Sequence, residues 1–168
     1  MEQFNELYKQ HFTTIYRMVS KFSVDRHEAE DIVQEVFIRL YLHYESGGEV
    51  QYPKTWLYKV ASNICINTVG RRKQTLQIEA VNESEVGVSE RFDIKIEEIE
   101  HRKIIMKALS TLKAHEKLMV ILYSEGLSYK EIADISGVRF SSVSKSLSRA
   151  LEKLKPLLKN QYYEMLNQ

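Results

Sequence analysis

The sequence predicts an all-α protein of two small helical domains, joined by a flexible acidic linker, with a helix-turn-helix in the second domain. Only 6 Gly and 2 Pro occur in 168 residues, too few for the many turns of a β-rich fold. Apolar residues recur at steps of three and four along most of the chain, the period of an amphipathic helix. The charge also changes along the chain: residues 1–73 hold 10 Lys/Arg against 9 Asp/Glu, residues 74–100 hold 2 against 8, and residues 101–168 hold 12 against 6. We therefore predict domains at 1–73 and 101–168, with the linker at 74–100.

Several classes of protein are disfavoured by what the sequence lacks. No apolar run approaches the ~20 residues of a membrane span. No phosphate-binding glycine loop, nucleophile elbow or Cys/His cluster is present, so we expect no catalytic activity, no cofactor and no metal site. The single Cys65 lies on an apolar helical pattern, which favours a buried structural thiol and fits a reducing cytoplasm.

The first two helices are predicted from their apolar stripes. The first runs from about Glu2 to Phe22, and we interpret its aromatic residues as core: Phe4, Tyr8, Phe12, Tyr16 and Phe22. The second begins after Asp25, whose carboxylate can cap it. A polar strip remains on the outer side of this second helix, at Asp31, Gln34 and Glu35. Such a strip is either a solvated face or a binding site for a basic groove or helix.

Pro53 starts a third helix, in which amide and cationic side chains recur at every turn: Lys59, Asn63, Asn67 and Arg71, continuing into Arg72. This row can follow a nucleic-acid strand, and Tyr52, Trp56 and Tyr58 can stack on its bases. The alternative is equally open: Trp56 and Tyr58 belong to the core, and the cations merely cap the end of the helix.

The second domain carries the helix-turn-helix. Ser128 and Glu131 form a capping box at the start of a short helix, Gly137 ends that helix, and a longer helix follows from about Ser141. Polar and cationic residues face outward on or just before the longer helix: Arg139, Ser141, Ser142, Lys145, Ser148 and Arg149. Short serines allow close approach to a major groove, and the cations reach phosphates or guanine edges. An ordinary helical hairpin with a solvated basic face is the alternative. Beyond Lys155, Pro156 predicts a frayed helical tail.

Three stretches, taken in their order along the chain, resemble one protein family: Ala29–Tyr41, Tyr52–Lys73 and Ala108–Lys155. In this order they resemble the extracytoplasmic-function (ECF) sigma factors of bacterial RNA polymerase. The resemblance implies that Asp31, Gln34 and Glu35 face the coiled coil of the β′ clamp. It implies that Tyr52, Trp56 and the row on the third helix handle the −10 element of promoter DNA, and that the outward residues of the longer helix read the −35 element. Control by a separate anti-sigma factor, carried on a membrane protein, is also implied, whereas a small-molecule substrate is not.

The chain departs from the family pattern at several positions. Family members usually have Arg, Asp and Arg where this chain has Ser62, Asn67 and Gly70. Many also have Thr, Lys and Arg at Ser142, Ser144 and Ser146, and Pro at Arg139. Base preference at these positions therefore stays open. Two other classes remain as alternatives: a stand-alone helix-turn-helix regulator, which would form a dimer, and a helical adaptor with no nucleic-acid role.

Overall fold

In a computed structural model of the chain, residues 2–23, 25–76 and 96–166 are described, with side chains given for 2–23, 25–71 and 101–160. The described residues form seven helices: α1 (Glu2–Phe22), α2 (Arg26–Glu45), α3 (Pro53–Leu76), α4 (Ile96–Ser110), α5 (Ala114–Ser124), α6 (Tyr129–Ser136) and α7 (Phe140–Leu166). The predicted all-α class is confirmed. Most of the predicted acidic linker, residues 77–95, lies outside the described residues.

The first three helices pack together as one bundle, in which each helix contacts the other two. Asp25 begins α2 as predicted, because its carboxylate accepts a hydrogen bond from the backbone N–H of His27 at 2.9 Å. The apolar side of α2 is buried against α1 and α3, with Val33, Val36 and Leu40 almost completely enclosed. This packing leaves the opposite side of α2 at the surface.

Helices α4 to α7 form a second bundle, in which α5, α6 and α7 contact one another and α4 packs on α7. The predicted apolar face of α7 is buried at Val143, Leu147, Ala150 and Leu154. The two bundles also contact each other, because α5 packs against α1 and α3, and α6 packs against α3. We call these contacts the interdomain contact.

The prediction that the aromatic residues of α1 form the core needs correction. The aromatic residues of α1 are not all core, since Phe4, Phe12 and Tyr16 are only partly buried and Tyr8 is 39% exposed. The core of α1 is formed instead by Leu7, Ile15, Met18, Val19 and Phe22. The segment after Lys155 is helical, as predicted, and it continues α7 through Pro156 to Leu166. Pro156 is exposed, so the backbone carbonyl that loses its helical hydrogen bond can be hydrated.

No helix in the described part of the chain combines the length and apolar character needed to cross a lipid bilayer.

Candidate nucleic-acid and polymerase-binding surfaces

The polar strip on α2 is at the surface, as its spacing predicted. Asp31 and Gln34 are exposed, and Glu35 is partly exposed. Arg39 Nε donates to Glu35 Oε1 at 2.7 Å, which orients that carboxylate along the helix. The strip therefore presents two carboxylates and an amide within little more than one helical turn.

An apolar groove opens beside this strip, between α1 and α2, and encloses about 480 Å³. Its walls include Gln34 and an aromatic cluster in which the rings of Tyr8 and Phe37 meet edge to face at 4.8 Å. Ile38, 44% exposed, lies at its rim. This groove is not evident from the sequence, because the helical period of α1 shows which residues share a face but not whether another helix covers that whole face.

The row on α3 lies on one exposed side of the helix. Lys59, Asn63, Asn67 and Arg71 are all exposed, whereas the side chain of Arg72 lies outside those described. Tyr52, just before the helix, is 68% exposed. Trp56 is partly buried, with its ring 5.7 Å from that of His43 at the end of α2. The structure thus brings one exposed and one half-buried aromatic ring to the start of a polar and cationic row.

Two other residues of α3 are excluded from this surface. Tyr58 is 1% exposed, so it belongs to the core and is not available for stacking on bases. Burial, followed by the nearby charge of Glu125, raises the pKa of its phenol to about 12. Ser62 is also buried, and its hydroxyl donates to the carbonyl of Tyr58 at 2.6 Å. The departure from the family pattern at Ser62 is therefore inside the bundle.

The helix-turn-helix forms as predicted. The backbone N–H of Ser128 donates to Glu131 Oε2 at 2.8 Å, and the backbone N–H of Glu131 donates to Ser128 Oγ at 3.2 Å. Gly137 ends α6 with φ of 74°, a left-handed conformation that favours glycine. These two local features set the turn between α6 and α7.

The outward side of α7 is open to solvent at Ser141, Lys145, Ser148 and Arg149, with Arg139 exposed just before the helix and Ser142 partly exposed. Ser144 is exposed and Ser146 partly buried. Phe140, the first residue of α7, is 63% exposed, an orientation that the sequence pattern did not indicate. The six residues predicted to contact DNA in the second bundle thus lie together, at the start and along the outer side of one helix.

The described residues contain no group of His, Cys, Asp and Glu side chains that could hold a metal ion. Burial raises the pKa of the Cys65 thiol to about 12, so this residue is an inert structural thiol, as predicted.

Comparison with known proteins places both bundles in one family. The model of Sigma-70 region 2 matches residues 7–75, and that of Sigma-70 region 4 matches residues 102–154. The chain is 30% identical over 173 residues to the ECF RNA polymerase sigma-E factor of Escherichia coli K12, covering 93% of this chain and 88% of the relative. It belongs to the ECF sigma factor family.

Other relatives support the same family over most of the chain. SigM of Bacillus subtilis is 27% identical over 158 residues, covering 91% of this chain and 93% of the relative. SigE of Mycolicibacterium smegmatis is 30% identical over 163 residues, but this chain spans only 62% of that relative's length. A solved structure, the sigma factor RpoE of Bartonella quintana in complex with the anti-sigma factor NepR, matches with a TM-score of 0.75 at 22% identity. The match covers 95% of this chain and 98% of RpoE, and it supports the fold.

Proposed function

We propose that this ECF sigma factor binds core RNA polymerase through α2 and directs initiation at promoters that it reads with α3 and α7. The observation that carries the proposal is the exposure of three separate polar rows in the two regions that match the family. In this proposal residues 1–73 bind polymerase and the −10 element, and residues 101–168 bind the −35 element. Residues 74–100 connect these two domains.

The strip on α2 is the proposed polymerase site. Asp31, Gln34 and Glu35 offer acceptors and negative charge, which complement a basic coiled coil such as that of the β′ clamp. The apolar groove beside Gln34 offers space for apolar side chains of the same partner. A charged strip next to an apolar groove is the composition expected of a specific interface.

The row on α3 is the proposed −10 site. Lys59 and Arg71 supply charge for phosphates, Asn63 and Asn67 supply hydrogen bonds, and the rings of Tyr52 and Trp56 supply stacking surfaces. Arg72 extends the row by one residue in sequence. A protein that binds single-stranded nucleic acid needs both cations and aromatic rings, because the bases of a single strand are unstacked and its backbone is charged.

The outer side of α7 is the proposed −35 site, with Arg139, Ser141, Ser142, Lys145, Ser148 and Arg149 in or beside the major groove. Support comes from the length and exposure of the helix and from its position as the second helix of the helix-turn-helix.

We also propose that a separate anti-sigma factor controls this chain in the bacterial cytoplasm, since the structural neighbour RpoE is bound to one.

Transcription with purified components tests this function. The chain is added to bacterial core polymerase with genomic fragments, and the transcript starts are mapped. We expect defined starts only when the chain is present. A stand-alone regulator would instead form a dimer and bind duplex DNA tightly without polymerase, and an adaptor would show no salt-dependent DNA binding. Either of those results, without directed initiation, contradicts the proposal.

A further inference from the structure

One aromatic side chain at the start of α7 is left out of the core of the second bundle. Phe140 is 63% exposed, more than any other large apolar residue that the structure describes in that bundle. Among the described residues it belongs neither to the core nor to the apolar residues packed against the core. Single apolar residues are common at protein surfaces, so exposure alone assigns no role to this ring. Its place in the helix-turn-helix is more informative.

The backbone of Phe140 is held firmly on both sides along the chain. Val138, two residues earlier, packs against the core, and Val143, three residues later, is completely buried. Between them, the carbonyl of Arg139 accepts a hydrogen bond from the backbone N–H of Ser142 at 2.8 Å, which closes the first turn of α7. Phe140 therefore has a defined place at the start of the helix, although its ring is not packed into the core.

The ring lies at the end of α7 that contacts bases in a helix-turn-helix. Side chains on a helix tilt toward its N-terminus, so the ring of the first residue reaches beyond the start of α7. Phe140, Ser144 and Ser148 follow one another at steps of four and share one side of the helix. Both serines are exposed and short, so the ring stands out from that side. In this motif the N-terminal residues of the second helix contact base edges, which puts the ring at the edges of the bases.

A phenyl ring selects its neighbours in the major groove by apolar contact alone. It has neither a donor nor an acceptor of ordinary hydrogen bonds, so it cannot distinguish bases through their polar groups. The C5-methyl group of thymine is the apolar group that base pairs present in this groove. Packing the ring over the amino group of cytosine or adenine would withdraw a donor from water without giving it a partner, which is unfavourable. A ring in this place therefore favours thymine.

We propose that Phe140 is a specificity-determining residue of the −35 site, whose ring packs on the methyl group of a thymine. The inference rests on the proposed function and deepens it, because it names the base that the start of α7 selects. Lys145 and Arg149 supply charge farther along the helix, where affinity depends on salt. Phe140 adds an apolar contact that discriminates between bases and releases no counterions.

A scan of thymine methyl groups tests this contact. The full-length chain, mixed with core polymerase, is used to select duplexes from a random pool, and the selected duplex becomes the probe. Each thymine is then replaced in turn by deoxyuridine, which lacks the C5-methyl group and pairs with adenine in the same way. We expect the wild-type chain to lose affinity about fourfold at one thymine, the effect of removing one methyl group from an apolar contact.

Variants of Phe140 assign the methyl effect to this residue. Phe140→Ala should bind the selected duplex more weakly and should no longer respond to deoxyuridine at that position, because the methyl group has lost its partner. Phe140→Leu should keep the response, since its side chain is also apolar. The salt slope should stay unchanged in both variants, because no phosphate contact is removed. Both variants should melt as the wild type does, since the ring is outside the core.

Leu151→Ala is the matched control on the same helix. Leu151 is 39% exposed and lies on the same side of α7 as Phe140. It is three turns farther along, about 16 Å from the start of the helix, and so lies away from the bases that Phe140 would contact. The Leu151→Ala chain should therefore respond to deoxyuridine as the wild type does.

Two outcomes overturn the inference. The first is a wild-type chain that selects no duplex, or selects one in which no thymine responds to the loss of its methyl group. The second is a folded Phe140→Ala variant that responds to deoxyuridine at the same position and to the same extent as the wild type. Failure of the proposed function is distinguishable, because the methyl scan measures binding alone, whereas the proposed function fails when the wild-type chain directs no initiation.

Discussion

Lys145 and Arg149 lie one turn apart on the exposed side of α7, and their side chains suit different roles. The ammonium of Lys145 is a compact charge suited to phosphate, whereas the guanidinium of Arg149 has a planar fork that also matches the edge of guanine. Phosphate contacts supply affinity and salt dependence, and base contacts supply discrimination. The neighbouring serines are too short to hold either cation away from DNA.

We predict that Lys145→Ala weakens binding to all −35 duplexes to a similar extent. It should reduce the slope of log affinity against log salt by about 1, since one phosphate contact is lost. Lys153→Ala is the matched control, because it removes the same charge from the same helix but from a residue paired with Glu116 at 2.5 Å. Fluorescence anisotropy across a salt series measures the affinity and its salt slope for both variants. An unchanged slope for Lys145→Ala, or an equal change for Lys153→Ala, would place the recognition surface elsewhere.

Among the helices, α2 has a buried apolar side and an exposed polar side. No other helix of the described bundle packs over the polar side. Asp31 is exposed and makes no contribution to the core, so changing it leaves the interior intact. Glu35 contacts only Arg39 of the same helix among its described ion pairs, and exposed pairs of this kind contribute about 0.3–0.5 kcal/mol.

Reversing both charges, Asp31→Lys with Glu35→Lys, should therefore abolish binding to core polymerase with little change in helicity or melting temperature. The new cations would face the basic coiled coil that the proposal assigns as partner. Glu2→Lys with Glu6→Lys is the control, since it makes the same change in net charge at exposed positions of α1. Gel filtration with core polymerase measures the complex. Full affinity in the α2 variant would remove this assignment.

Helix α3 offers an internal reporter, because Trp56 is the only tryptophan in the chain. It is partly exposed at the start of the proposed −10 row, next to Tyr52. A nucleic-acid base that stacks there changes the surroundings of the indole. Fluorescence of the free protein therefore follows the binding of single-stranded DNA directly.

We predict that single-stranded −10 DNA quenches Trp56 and that Tyr52→Ala weakens this binding by about 1–3 kcal/mol, the contribution of one base stacked on an aromatic ring. Tyr123→Ala is the matched control, because Tyr123 is 47% exposed and belongs to the other bundle. Titration at low salt measures both affinities. Equal affinities of the Tyr52→Ala and wild-type proteins would exclude Tyr52 from the site.

In the whole molecule, the interdomain contact contains Glu125, which accepts hydrogen bonds of 2.6 Å from Arg17 Nη2 and from Lys21 Nζ of the other bundle. We predict that this contact depends on pH. Burial by itself raises the pKa of Glu125, but hydrogen bonds and charge from Arg17 and Lys21 outweigh burial and hold it below its ordinary value of 4.5. Tyr58 of α3 also faces this group, and its raised pKa keeps it neutral. A depressed carboxyl pKa favours the interdomain contact above the ordinary value, and this contribution is lost as the pH falls through the lowered pKa.

Acidification below pH 4.5 should therefore weaken the interdomain contact in the wild-type protein. The measurement is fluorescence energy transfer between dyes at Gln10→Cys on α1 and Lys107→Cys on α4, two exposed positions, and we expect it to fall. Other carboxylates titrate in the same range, including Glu131, whose pKa is also lowered, first by the backbone hydrogen bond from Ser128. The difference between wild type and Glu125→Gln isolates the contribution of Glu125. We expect Glu125→Gln to start from lower transfer at neutral pH and to change less on acidification. Parallel pH curves for the two proteins would contradict the role of Glu125.

Features that depend on neighbours within one or two helical turns could be predicted from the sequence. The caps at Asp25 and Ser128, the turn at Gly137 and the outward position of Lys145 follow from hydrogen bonds and helical period over a few residues. The order of three motifs was also enough to indicate the family, because it does not depend on how the two domains are arranged.

Which of several possible partners each side chain contacts depends instead on how the helices pack. Periodicity placed Tyr58 on α3 but left open whether it stacks on bases or fills the core, and packing against the other helices buried it. Lys117 lies 95 residues from Phe22, and Glu125 lies 108 residues from Arg17. No local period or propensity encodes such a pair, since each residue alone resembles an ordinary surface charge. Their contacts arise only when the two bundles meet and exclude water between them.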